Sequence, residues 1–302
     1  MFGTLLGALP RPTDPDGTPV ADHALAVLMA LDAQHAAGLE PLTDGRLGWR
    51  SATDAGGAAA AAAAWRFASE RAPGIVKQAL PGPYTLGRRL ATEDRDRGSR
   101  RIVDELRRAI EELAEAGCPI VEIEERDAHL IGEDEGERER FASAHRRLLE
   151  GIEGIHCSLS IVGENADSAG IGTILAAPYA SLAVDLIAGP DNWHLVRDAP
   201  GEVGIICGAQ SPTAPTSEGP ELLVWAAAYA ASSRGRGPLR VGLATAGGLE
   251  GRTWADAVEL MRRLGKAAGL AGRPIEEIAS ELDPRAFDAR SAALGRREPP
   301  RH

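Results

Sequence analysis

The chain has few residues of several informative kinds. Only three of its 302 residues are cysteines, Cys118, Cys157 and Cys207. An odd and sparse set of this kind argues against a disulfide framework and is typical of a reducing compartment. The sequence also lacks any run of about 18 apolar residues that could span a membrane, and no signal-peptide pattern is visible at its N-terminus. We therefore expect a cytoplasmic protein that does not contact a membrane.

Basic residues are scarce relative to acidic ones. The chain has 33 lysines and arginines against 44 aspartates and glutamates, which gives a formal net charge of −11. Because binding to phosphate backbones requires a basic face, nucleic acid is excluded as an expected partner. Hydrophobic residues make up 44% of the chain, which excludes a disordered protein. These properties favour a small-molecule substrate and leave open a homo-oligomer.

Several common catalytic signatures are absent from the sequence. It contains no glycine-rich dinucleotide fingerprint after a strand, no P-loop, no zinc knuckle and no Gly-x-Ser-x-Gly elbow. The stretch Ala246–Gly248 is rich in glycine, which is only a weak indication of a phosphate site. Function must therefore be inferred from where polar residues lie relative to the predicted elements.

Short apolar segments alternate with helical patterns along the chain. Such alternation predicts a parallel sheet with right-handed crossovers, and eight repeats predict its closure into a (β/α)₈ barrel, a TIM barrel of the α/β class. An open doubly wound sheet is the alternative. We expect one barrel domain over residues 1–290 and a polar tail over 291–302. The predicted strands are Thr4–Leu9, Glu40–Thr43, Ile75–Leu80, Ile120–Glu124, Ile155–Leu159, Leu182–Ile187, Val203–Cys207 and Leu239–Ala244.

The fourth predicted strand carries the most informative polar residues. Side chains alternate along a strand, so Glu122 and Glu124 share one face. Both faces of a barrel strand are buried, and buried carboxylates must be paired, hydrogen-bonded or shifted in pKa. The functional interpretation is that they perform acid–base chemistry or hold a substrate amine. The structural alternative is an ion pair with Arg11, Lys77 or Arg46.

Other candidates lie at or near predicted strand ends, where barrel enzymes place their chemistry. His156 is predicted as a general acid or base, together with Glu122 and Glu124 as the catalytic set. A histidine in this position could equally be an ordinary hydrogen-bonded core residue. The predicted substrate-binding residues are Arg11, Asp44, Arg46, Lys77, Glu125, Ser158 and Gln210.

A metal site is a weaker hypothesis. Neighbouring residues of a strand point in opposite directions, so His156 and Cys157 do not chelate one ion. His156, Asp185 and Cys207 come from three successive predicted strands and form the alternative ligand set. A buried free cysteine such as Cys207 is more often an inert small hydrophobe.

Several segments together resemble the cobalamin-independent methionine synthase family in order and spacing. Each is modest on its own, but together they cover most of the chain. The chain resembles the short, single-barrel members of the family. The segments are Leu6–Arg11, Gln34 with Gly38–Glu40 and Asp44–Gly45, Val76–Pro83, Glu122–Glu125, Ile155–Ser158, and Leu249 with Arg252–Trp254.

The resemblance implies a barrel in which zinc, held by a histidine, two cysteines and a glutamate, activates a thiol. Carried over by position, the histidine is His156 and the glutamate falls near Asp185, but the two cysteines fall on Ser158 and Gly247. Serine and glycine cannot replace thiolates as zinc ligands. Zinc is therefore conceivable as a cofactor but is not expected, and the cofactor stays unknown.

The sequence therefore predicts a diverged barrel enzyme of methyl or one-carbon transfer. Its substrate is expected to be small and polar, and either amino-acid-like or a thiol. Glu122 and Glu124 would bind its positive group, while Arg11 and Arg46 would face an anionic group. The alternatives are a non-catalytic binding protein or partner subunit on the same barrel, and a metal-free lyase or decarboxylase.

Overall fold

Seven parallel strands form one curled sheet around which the chain is wound. The computed structural model describes residues 1–47, 57–90, 95–213, 219–278 and 281–282. Within these residues the strand order is β1-β7-β6-β5-β4-β3-β2. The strands are β1 (Phe2–Thr4), β2 (Gln78–Pro81), β3 (Ile120–Glu125), β4 (His156–Ile161), β5 (Ser181–Asp185), β6 (Gly204–Gln210) and β7 (Val241–Thr245).

Residues 40–43 fill the gap between β1 and β2. The amide of Glu40 donates to the carbonyl of Gly3 at 2.8 Å, and Leu42 forms a parallel bridge with Val76. This segment takes the eighth position of the barrel, so the predicted eight-fold α/β barrel is confirmed. The predicted second strand, Glu40–Thr43, is reduced to this single bridge.

Helices surround the sheet in the order expected of repeated β/α units. Their apolar stripes explain their packing: Ile102, Leu106, Ile110 and Leu113 of α4 are buried, as the sequence period predicted. Thr253 begins α9 by accepting a hydrogen bond from the amide of Asp256. The helices are α1 (His23–Ala36), α2 (Gly57–Ser69), α3 (Pro83–Arg88), α4 (Arg95–Glu115), α5 (Glu135–Leu149), α6 (Ile171–Ile174), α7 (Trp193–Asp198), α8 (Glu221–Ser232), α9 (Trp254–Ala271) and α10 (Ile275–Ile278).

The interior of the barrel has an apolar side and a polar side. Leu6, Ala183, Ile206 and Ala244 form an apolar cluster on the side of β5, β6 and β7. The opposite side, formed by β2, β3 and β4, carries buried polar side chains. Polar groups in such a place require partners, because burial without a hydrogen bond is costly. The buried charged residues Lys77, Glu122 and Glu124 therefore lie on this side of the barrel wall.

The first strand is shorter and earlier than the predicted Thr4–Leu9. Gly7 adopts a positive φ of 74°, and a Cβ placed there would lie 2.5 Å from the amide nitrogen of Gly248. The chain therefore bends at Gly7 and meets the loop that follows β7, which ends the strand early.

Two further predictions concern the C-terminal tail and membrane-spanning segments. The predicted tail, residues 291–302, lies outside the described residues. No helix in the described part of the chain is long and apolar enough to cross a membrane.

Candidate functional site

Strand β3 directs its carboxylates to opposite sides of the barrel wall. Glu122 and Glu124 face the interior and are each about 1% exposed, whereas Glu125 points into the surrounding helix layer and is fully buried. This follows from the two-residue period of a strand. The predicted pair of inward carboxylates is therefore present. The third carboxylate, Glu125, contacts the surrounding helices instead.

Glu124 lies between two arginines at the carboxyl end of the barrel. Its Oε2 accepts from Nη2 of Arg46 at 2.7 Å and from Nε of Arg126 at 3.0 Å. Arg126 also approaches Glu250, at 3.8 Å. Burial lowers the pKa of Arg126, but the charge of Glu124, its hydrogen bond and the charge of Glu250 together outweigh burial, and the pKa is raised. Two arginine side chains therefore share one oxygen of a single buried carboxylate.

The backbone that carries Arg46 is held in an unusual conformation. Arg46 has a positive φ of 56°, a region that non-glycine residues seldom occupy. The carboxylate of Asp44 accepts from its amide at 3.0 Å, and burial raises the pKa of Asp44 despite that bond. Strained backbone of this kind is often found at functional sites. Asp44 therefore positions Arg46 by fixing the turn beneath it.

Several buried polar side-chain atoms in or near the barrel interior have no hydrogen-bond partner among the described residues. They are Nε of Arg46, Oε1 of Glu122, Oε1 of Glu124, Oγ of Ser160 and Oε1 of Gln210. Such atoms are costly, and a native protein keeps few of them without a reason. Ser160 neighbours Glu124 in the strand register, so these two side chains lie side by side toward the carboxyl end, whereas Glu122 lies toward the amino-terminal end.

Glu125 holds the start of helix α3 and is not a group of the interior. Its carboxylate accepts from the amides of Tyr84 and Thr85, each at 2.8 Å. His145 adds a contact from Nε2 at 3.0 Å, and its Nδ1 meets the hydroxyl of Tyr179 at 2.6 Å. A carboxylate at a helix N-terminus satisfies its free amides. Glu125 was predicted to bind substrate. The structure places it outside the barrel interior, where it binds the first amides of α3.

Thr85 links Glu125 to the turn that carries Arg126. Its hydroxyl donates to Glu125 and accepts from the amides of Arg126 and Asp127, at 2.9 and 3.1 Å. Thr85 is 2% exposed. The hydroxyl therefore fixes the turn after β3 from which Arg126 reaches Glu124.

Replacing Thr85 with valine is expected to lower the free energy of unfolding by about 2 kcal/mol, because two amides and a carboxylate lose a buried partner. Urea denaturation measures the effect. Thr85→Ser, which keeps the hydroxyl, is the matched control and is expected to be the more stable of the two variants. A Thr85→Val protein as stable as the parent would contradict this role.

His156 lies at the opposite end of the barrel from Glu124. It is the first residue of β4, about 17 Å from the end of that strand at the usual rise of about 3.3 Å per residue. Its Nε2 contacts the hydroxyl of Ser181 at 2.8 Å, and Ser181 donates to Ser158 at 2.9 Å. Burial lowers the pKa of His156. The expected position of His156 at the catalytic end is therefore wrong, because β4 starts at His156 and runs on to Ile161.

Lys77 and Glu122 form a buried ion pair. The ammonium of Lys77 lies 2.7 Å from Oε2 of Glu122, and both side chains are at most 2% exposed. Burial raises the pKa of Glu122, although the charge of Lys77 lowers it. Lys77, Glu122, Ser158 and His156 thus belong together at the amino-terminal half of the barrel.

Arg11 and Asp185 have their charged groups engaged by backbone. Arg11 donates to the carbonyls of Val20 and Ala21 and so pins the loop after β1. The carboxylate of Asp185 accepts from the amides of Gly163, Ile187 and Ala188. Each therefore supports a loop at the carboxyl end, and the sequence prediction of Arg11 facing a substrate finds no support in this placement.

The residues do not fit the zinc site that the resemblance implies. His156 and Asp185 lie at opposite ends of their strands, and the thiol of Cys207 points outward to the carbonyl of Ala226 in α8. No group of three or more histidine, cysteine, aspartate or glutamate side chains in the described ranges is placed to hold a metal ion. The alternative ligand set of His156, Asp185 and Cys207 is therefore not assembled.

Sequence reasoning missed three residues of the carboxyl-end site: Arg126, Ser160 and Glu250. Ser160 could have been found from the period of β4, since it is the next inward position after Ser158. Arg126 directly follows the strand that carries Glu124. Glu250 gives no local signal, because it reaches Arg126 only through the closure of the barrel.

Comparisons with known proteins find similarity of fold. No protein-family model and no curated protein matches the chain. A B12-independent methionine synthase from Shewanella sp. W3-18-1, solved with selenomethionine, has a TM-score of 0.71 at 14% identity over 93% of this chain and 99% of that one. A protein from Listeria monocytogenes assigned as a vitamin-B12-independent methionine synthase has a TM-score of 0.63 at 14% identity, covering 87% and 96%.

Barrels of other chemistry are also similar. The D-psicose 3-epimerase of Clostridium cellulolyticum H10, solved with D-tagatose, has a TM-score of 0.52 at 11% identity, covering 90% of this chain and 98% of that one. At these identities the likeness shows the fold, and fold alone does not assign a reaction.

Proposed function

We propose that this protein is a diverged barrel enzyme of methyl or one-carbon transfer that binds a small, amino-acid-like substrate around Glu124. One observation carries the proposal: Oε1 of Glu124 is buried without a partner among the described residues, while Oε2 is held by two arginines. A carboxylate oxygen in this state accepts a hydrogen bond from an ammonium group.

The neighbouring unpartnered atoms suit the two ends of a zwitterion. Nε of Arg46 is a buried donor and would donate to the substrate carboxylate. Oγ of Ser160, which neighbours Glu124 in the strand register, can accept from the substrate ammonium. Glu124, Arg46 and Arg126 together carry one net formal positive charge, which Glu250, 48% exposed and 3.8 Å from Arg126, balances from the surface side. A zwitterion satisfies atoms that would otherwise stay buried and unpaired.

The reaction class is proposed from the likeness in fold to methionine synthases. The methionine synthase from Shewanella sp. W3-18-1 was solved with selenomethionine, an amino acid, bound to it. Here the residues supply binding and orientation of the reactants, which by itself contributes substantially to transfer reactions. The three cysteines are buried, with no thiol among the inward residues of β3 and β4. In this proposal the attacking group belongs to the substrate, and no step is assigned to zinc.

The proposal is tested by calorimetric titration with three matched ligands: methionine, N-acetylmethionine and methionine methyl ester. Each derivative removes one charge of the zwitterion. Because a charge-assisted hydrogen bond contributes about 1.5–3 kcal/mol, each blocked ligand is expected to bind at least tenfold more weakly than methionine. Equal binding of the three, or binding of none, would overturn the amino-acid assignment. Binding of methionine by a protein that transfers no methyl group from a sulfonium or N-methyl donor to a thiol substrate would favour the non-catalytic alternative.

A further inference from the structure

A cavity of about 460 Å³ opens at the amino-terminal end of the barrel, away from Glu124. Its apolar walls come from the starts of the strands and the loops that precede them: Phe2, Ile75, Ile120, Ile206 and Leu239. The volume lies within the range of small-molecule sites, which are mostly apolar with a few convergent polar groups. Nothing in the proposed function uses this cavity.

The polar floor of the cavity is the Lys77–Glu122 pair. Glu122 is 1% exposed, and its Oε1 has no hydrogen-bond partner in the part of the chain that the structure describes. Lys77 occupies only Oε2. A buried carboxylate oxygen left in this way costs free energy unless a donor reaches it. The floor therefore offers one acceptor to a ligand.

Charged groups around the cavity disfavour an anion. Its lining includes three carboxylates, Glu40, Glu122 and Glu202, against two cations, Lys77 and Arg240. His156 also lines it, and burial lowers the pKa of its ring so that it is neutral at pH 7. Counted formally, with Glu122 ionised beside Lys77, the lining carries one net negative charge, which favours a cationic ligand.

We propose that this cavity is a second binding site, for a small molecule with an apolar body and a protonated amine. The amine donates to Oε1 of Glu122 on the floor, and the body lies along the apolar wall. Leu239 at the rim is 96% exposed and Ile75 is 50% exposed, so both side chains gain contact when an apolar body enters. Two such residues at one cavity mouth are consistent with a ligand surface.

The proposal is tested by calorimetric titration of the full chain with primary alkylamines from butylamine to hexylamine. Each added methylene is expected to tighten binding about fourfold, the factor that corresponds to about 0.8 kcal/mol per buried methylene. Hexanol and hexanoate have the same body with a neutral and an anionic head. Both are expected to bind at least tenfold more weakly than hexylamine, with hexanoate the weakest.

Leu239→Ser is the variant that locates the site. Leu239 makes little contact in the free protein, so the substitution is expected to preserve folding while weakening hexylamine binding about tenfold. The matched control is Leu130→Ser, at a leucine that is 46% exposed and does not line the cavity. It is expected to leave hexylamine affinity unchanged.

The amine contact is tested by replacing both members of the floor pair, as Lys77→Met with Glu122→Leu, so that neither charge is left buried alone. Hexylamine is expected to lose its advantage over hexanol in this variant. The site would be overturned if hexanol bound the parent protein as tightly as hexylamine, if chain length had no effect, or if Leu239→Ser and Leu130→Ser behaved alike. None of these outcomes depends on binding at Glu124.

Discussion

Lys77→Met is expected to lower the free energy of unfolding by about 3–5 kcal/mol, the usual cost of leaving one partner of a buried ion pair unpaired. Glu122 is 1% exposed, and Lys77, at 2.7 Å, is its only ion-pair partner among the described residues. Without Lys77 the carboxylate must stay charged in an apolar wall or take up a proton. Urea denaturation with a fluorescence readout measures the loss.

The control for this prediction removes both charges. A protein with Lys77→Met and Glu122→Leu together is expected to recover most of the lost stability, because replacing a whole buried pair by apolar residues is often neutral. The interpretation is contradicted if the single variant lies within about 1 kcal/mol of the parent, or if the double variant is the less stable one.

Glu124→Gln is expected to weaken methionine binding by about 10- to 100-fold, the range that corresponds to one charge-assisted hydrogen bond of about 1.5–3 kcal/mol. The amide keeps the shape of the side chain but removes the charge that faces the ammonium. The two arginines also lose their common partner and become available to other anions. Calorimetric titration of methionine into the folded variant checks the prediction.

The matched control for Glu124→Gln is Glu250→Gln. Glu250 approaches the same Arg126, at 3.8 Å, but its side chain is 48% exposed. Exposed ion pairs contribute at most about 1 kcal/mol, so this variant is expected to bind methionine within about threefold of the parent. Equal losses in both variants would show a general effect of charge and would contradict a direct contact at Glu124.

The sequence was most informative where a regular period acts on buried positions. Alternation along β3 placed Glu122 and Glu124 inward, and the same rule places Glu125 outward, against its predicted role. The barrel followed from eight alternating units, although residues 40–43 form a bridge in place of a full strand. The alternation of inward and outward side chains does not change when a predicted strand boundary is wrong by one or two residues. Predictions based on it are therefore robust.

Predictions about which end of a strand a residue occupies were less reliable. β4 was predicted as Ile155–Leu159 and is His156–Ile161. Both ranges place His156 at the start of the strand, so the expected position of His156 at the catalytic end did not follow from the predicted range. Ion pairing depends on residues far apart in the chain, as with Arg46 and Glu124. The sequence around either residue does not predict such a long-range ion pair. The sequence analysis named Lys77, Arg46 and Arg11 as possible ion-pair partners of the strand carboxylates. Only Lys77 and Arg46 form such pairs.

The proposed function depends most directly on whether methionine binds at Glu124 without zinc. The decisive measurement is calorimetric titration of methionine into protein treated with EDTA and into the same protein with zinc restored, alongside Glu124→Gln. We predict saturable binding after EDTA treatment, unchanged by added zinc and weakened in the variant. Binding that appears only with zinc, or that Glu124→Gln leaves unchanged, would contradict the proposal and would return thiol activation by a metal as the chemistry of this barrel.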